Sequence, residues 1–219
     1  MHSTMPSAPV KPLMRGVLHE IAFFVALVAG AVLVIAAPGS TAKIACAVYA
    51  TSLATLLGVS ALYHRPTWSD RARARMRRLD HSAIFVLIAG TYTPLALTLP
   101  SPAAKTMLTV AWAGAALGVL RALFWVRAPK WLVAMLALAM GWLAVLYLPS
   151  VHTATSTPVI VWMGLGGALY SLGALSYAFR RPNPWPRVFG YHEVFHALVV
   201  AAAVCHFVSV SLALPAIAH

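Results

Sequence analysis

The chain has 219 residues, of which 61% are hydrophobic and only 9% charged, with a formal charge of +12. A soluble domain carries about 25% charged residues, so this composition excludes one. The surplus of 16 Lys and Arg over four acids lies between apolar runs, which points to membrane topology rather than nucleic-acid binding.

Apolar stretches near the length of a membrane span recur throughout, and strict alternation of the barrel type is missing. The pattern predicts an all-α integral membrane protein, a seven-helix bundle with spans at 18–37, 43–64, 80–99, 104–125, 131–148, 157–179 and 189–213. Residues 1–17 form a cytoplasmic N-terminal segment and 18–219 one membrane domain. No cleavable signal peptide is evident, because residues 1–15 are polar and contain proline. Pro38-Gly39 and Pro100 close the first and third spans, and Pro94 predicts a kink or break inside the third. Cys46 and Cys205 sit in apolar runs and read as small buried residues rather than a disulfide or metal clip.

Orientation follows from Lys and Arg. With the N-terminus inside, fourteen of them fall on the inner segments, counting Arg121, Arg127 and Lys130, and only Lys43 and Lys105 lie outside. The expectation is N-terminus in, C-terminus out. Trp125, Trp131, Tyr177 and Trp185 then form an inner aromatic belt. The basic stretch RPTWSDRARARMRR, from Arg65 to Arg78, reads as a loop that anchors the chain on anionic lipid headgroups.

Histidines and acids near the apolar runs are costly and need a reason. His64 closes the second span, Asp80 and His81 open the third, and His192 and His196 open the seventh. The topology places all five at one depth near the cytoplasmic face. His192 and His196 are four residues apart, so their rings share one helix face. Ser60 and His64 have the same spacing. A third imidazole from His64 would complete a three-histidine site with a fourth position for water, as in catalytic zinc centres. Asp80 could hydrogen-bond that water or orient a ligand. The bland alternative is interhelical hydrogen bonding without a metal. His206 lies ten residues past His196, roughly 15 Å along a helix, so it cannot share an ion with that pair. It reads as a hydrogen-bonded core histidine or as a polar group in a cavity above the metal. His19 and Glu20 read as interfacial residues or as a pair supporting the site from behind. His2, His152 and His219 read as uninformative.

Three ordered motifs carry a family resemblance: SALYH (Ser60 to His64), LDHSAIFVLIAGTYTP (Leu79 to Pro94) and YHEVFHALVVAAAVCHF (Tyr191 to Phe207). With RGVLHEIAFF (Arg15 to Phe24), they resemble the haemolysin III family, bacterial relatives of the progestin and adiponectin receptors. The resemblance runs from about Arg15 to the end. It implies seven helices, a cytoplasmic N-terminus, a bacterial cell membrane and a zinc ion (Zn2+) near the inner face. The implied ligands are His64, His192 and His196, with Asp80 beside the zinc-bound water and Ser60 as the motif serine. Alkaline ceramidases in the wider superfamily suggest hydrolysis of a lipid amide with a long acyl chain. In that reaction Asp80 and Ser60 are the catalytic candidates.

The alternative is a sensor or regulator of membrane fluidity or energetics with a structural zinc. The string His192-Glu193-Val194-Phe195-His196 also matches the H-E-x-x-H of zinc proteases. That reading lacks a downstream acid, since no Asp or Glu follows Glu193.

Overall fold

The computed structural model describes residues 11–125 and 128–217. His2, His219 and Arg127, together with residues 1–10 of the N-terminal segment, lie outside the described residues, as does the side chain of Lys130. The described chain is helical: α1 (Val17–Ala36), α2 (Gly39–His64), α3 (Asp70–Ala96), α4 (Ser101–Phe124), α5 (Lys130–Trp142), α6 (Leu148–Ala154), α7 (Thr157–Phe179) and α8 (Tyr191–Ile217). A 3-10 turn, Leu143–Tyr147, joins α5 to α6.

Six segments are long and apolar enough to cross a membrane: α1, α2, α4, the joined stretch Trp131–Ala154, α7 and α8. Large apolar side chains such as Phe24, Val28, Ile35 and Leu146 stand well exposed on them. An apolar exterior of this extent fits lipid rather than water. Helix α3 is as long as α8 but is not among the six. Arginines fill its first turns, and Asp80, His81 and the threonines dilute the rest.

The third helix differs from its expected bounds. It begins at Asp70 rather than near residue 80, so Arg71 to Arg78 are helical and not loop. Alanine, arginine and methionine all favour helix, and Asp70 sits favourably in the first turn. At the other end the helix stops at Ala96, two residues after Pro94, and turns through Leu97 to Leu99.

From Ala83 onward α3 is enclosed, packing between α2 and α4 and touching α5 and α8. Phe85, Ala89 and Ala96 are completely buried. A Cβ on Gly118 of α4 would come within 2.2 Å of the Phe85 ring, so glycine there lets the two helices close.

The fifth span is broken, where the sequence suggested one helix ending at 148. Pro149 cannot donate to the carbonyl four residues back, and its ring crowds that carbonyl. Tyr92 of α3 inserts its hydroxyl into the break, reaching the carbonyls of Met140 and Gly141 at 2.7 Å each. The amide of Ala144 donates back to the same hydroxyl at 3.0 Å. A side chain entering the backbone ladder is a recognised cause of such irregularity.

The chain ahead of α1 is clasped. Leu13 and Met14 donate backbone bonds to Arg187 and Val188 in the α7–α8 connection. Lys11 Nζ reaches the carbonyl of Arg65 at 2.7 Å. These contacts bring the start of α1, the end of α2 and the start of α8 to one end of the bundle, where the site lies.

Candidate metal centre

His64 ends α2, and His192 and His196 occupy the first turns of α8. Their ligand atoms all lie within 4.8 Å of one another. The Nε2 atoms of His64 and His192 face each other at 3.2 Å. The ring centroids are 4.5 Å apart for His192 and His196 and 4.9 Å for His64 and His196. Two nitrogens on one tetrahedral zinc, each at about 2.0–2.1 Å from it, stand roughly 3.4 Å apart. The facing pair matches that separation. Neutral imidazoles converging from two helices are a donor set suited to a transition metal such as zinc. The residues present therefore fit a metal ion.

Asp80 and Ser60 join the same end. The Ser60 hydroxyl hydrogen-bonds the Asp80 carboxylate. Ser60 is buried on α2 one turn before His64, so the Ser60–Asp80 contact lies about one helical turn from His64 along α2. The expected convergence is seen among His64, His192 and His196, and Asp80 is linked to that end through Ser60. His81 is half-buried and is not part of the histidine triad.

Several neighbours were not legible as such. His19 is 3% exposed, and its ring stacks on His196 with centroids 3.9 Å apart and planes 10° apart. Its ring nitrogens make no well-formed hydrogen bond among the described residues, although the His196 backbone lies near. The supporting reading of His19 holds in this respect, while Glu20 instead pairs with Arg65 at 2.8 Å. Tyr177, expected in the aromatic belt, turns inward and lies 5.6 Å from the His192 ring. Trp125, Trp131 and Trp185 remain exposed.

Glu193 has both oxygens engaged: Oε1 accepts from Arg15, and Oε2 accepts from the Gly190 amide at 2.9 Å. It caps its own helix and holds the N-terminal segment, so it faces away from the chemistry that H-E-x-x-H suggests. His206 is packed against Gly166 and lies 5.6 Å from the Tyr170 ring. Among the described residues neither of its ring nitrogens has a hydrogen-bond partner, so it is a core histidine without the expected bond. Cys46 and Cys205 are buried free thiols, as expected.

The family model described as Haemolysin-III related matches residues 8–207. A protein named Hemolysin-3 homolog from Bacillus subtilis is 30% identical over 161 residues, 73% of this chain and 72% of that one. Hemolysin-3 from Bacillus cereus is 30% identical over 169 residues, 77% and 74% of the two chains. The adiponectin receptor protein of Drosophila melanogaster is 47% identical over 55 residues, 23% of this chain and 12% of that one.

Proposed function

This multi-pass membrane protein belongs to the Haemolysin-III related family, and from that premise we propose that it is a zinc-dependent hydrolase of a lipid amide at the inner leaflet. The observation that carries the reading is the meeting of His64, His192 and His196, with the Ser60–Asp80 pair about one turn away along α2. His64, His192 and His196 would hold the ion. Zinc, when bound, would supply Lewis acidity toward a carbonyl and an acidified water.

Asp80 is the proton acceptor for the attacking water and later returns the proton to the leaving amine nitrogen. Ser60 fixes the carboxylate of Asp80 by its hydrogen bond, and its hydroxyl is the candidate donor to the developing oxyanion. The substrate is a ceramide-like amide whose acyl chain lies between helices. Helix α3 is taken as the seventh span, with the N-terminus inside and the C-terminus outside.

A second reading is a sensor or regulator of membrane fluidity or energetics whose zinc is structural. The histidines join α2 to α8, so an ion there would tie those two helices together, and His19 packs α1 against the site.

Metal analysis with an amide-hydrolysis assay separates the two. Protein in lipid nanodiscs should hold about one zinc per chain. His64→Ala and His192→Ala should lose it. Asp80→Asn should keep the metal and lose roughly a hundredfold or more in ceramide hydrolysis. Stoichiometric zinc with no turnover of any ceramide-like amide would leave the sensor reading in place.

A further inference from the structure

A cavity of about 340 Å³ opens beside the metal centre, lined by Tyr63, Asp70, Arg73, Ala74 and Arg77. Its volume lies within the roughly 300–1,000 Å³ of small-ligand sites. Arg73 and Arg77 are one turn apart on the same face of α3. Asp70 is the single acid in the lining against Arg73 and Arg77, so the lining side chains carry a net positive formal charge. Two guanidinium groups on one wall form a planar multi-donor surface of the kind that recognises phosphate oxygens. Tyr63, on α2, also lines the cavity and carries a phenol.

The position of the cavity gives this chemistry a purpose. Tyr63 directly precedes His64, and their rings are 4.5 Å apart. Arg77 is three residues before Asp80, so it lies roughly 4–5 Å nearer the inner surface along α3. In a phosphate-headed lipid, the first acyl carbonyl lies a few ångströms beyond the phosphate, toward the tails. A phosphate held by Arg73 and Arg77 therefore sets that carbonyl at the depth of Asp80 and His64.

We propose that Tyr63, Arg73 and Arg77 form a binding site for the phosphate headgroup of an anionic membrane lipid, which selects and positions the lipid presented to the metal centre. The inference rests on the lipid-hydrolase reading for its purpose but not for its detection. It narrows the substrate class from ceramide-like amides in general to lipid amides that carry a phosphate headgroup.

The test measures binding of phosphatidylglycerol to the full chain in phosphatidylcholine nanodiscs. It compares wild type, the double variant Arg73→Gln/Arg77→Gln and the control Arg71→Gln/Arg75→Gln. The control removes the same charge from exposed arginines that do not line the cavity. The cavity variant should bind roughly tenfold or more weakly, while the control stays within about twofold. Equal weakening in both, or in neither, overturns the site in favour of diffuse surface charge. Complete displacement of the lipid by inorganic phosphate overturns the lipid as its source in favour of a free-anion site. Zinc is measured on the same samples. Missing metal with the arginine discrimination intact would overturn the hydrolase reading and still support this site.

Discussion

At the scale of single residues, Glu193 shows how position changes the meaning of a motif. It is 1% exposed at its side chain, and Arg15, at 23%, is its charge partner. Removing one member of such a buried pair leaves the other charge uncompensated. Glu193→Gln should therefore lower thermal stability in detergent by about 2–3 kcal/mol while zinc content stays at the wild-type level. A variant that kept its stability but lost metal-dependent turnover would return Glu193 to the chemistry. The two metal-ligand candidates beside it were legible because helical spacing is local: His192 and His196 share a face whatever the tertiary structure does. His64 was legible one step further, through the depth that the charge bias assigns. The stacking of His19 on His196 was not, because nothing in one helix says which face of another it meets. The same holds for the inward turn of Tyr177.

Between elements, two very close fits occur where a glycine faces a bulky ring: Gly118 against Phe85 and Gly166 against His206. A Cβ on Gly166 of α7 would lie 2.2 Å from Cδ2 of His206 on α8. His206 is otherwise held only by packing, with neither nitrogen bonded. Gly166→Ala should cost about 1–3 kcal/mol by overpacking. Combined with His206→Ala, it should be at least partly relieved, giving a coupling of roughly 1 kcal/mol or more in a double-mutant cycle read by thermal unfolding. Simple additivity would mean that the two residues do not meet as described. Helix boundaries divide in the same physical way. The end marked by Pro38 was readable, since proline restricts the local backbone whatever surrounds it, whereas α3 stops at Ala96, ahead of Pro100. The start of α3 was not readable, because a run of arginines reads equally as a solvated loop or as helical turns above the membrane. The 3-10 break before α6 depends on the Tyr92 hydroxyl arriving from α3, a contact no local pattern encodes.

For the whole molecule, the open question of topology turns on α3. Six helices qualify as spans by length and apolarity, and an even number returns the C-terminus to the side of the N-terminus. Counting α3 makes seven and places the two ends on opposite sides. The packing argues for seven: α3 is enclosed by α2 and α4 from Ala83 onward, with Phe85 and Ala89 fully buried at successive turns. A helix enclosed by two spanning neighbours shares their depth, and its polar groups are sheltered from lipid by protein. The Lys and Arg bias agrees, since Arg65 to Arg78 then share one side with Arg180, Arg181 and Arg187. Paired reporters at the C-terminus test this directly. An alkaline phosphatase fusion, active only outside, should be active, and a green fluorescent protein fusion, fluorescent only inside, should be dark. The opposite pair of results would put the C-terminus inside and reduce α3 to a buried helix that does not cross. The six arginines between His64 and Asp80 would then no longer fix the metal centre's leaflet.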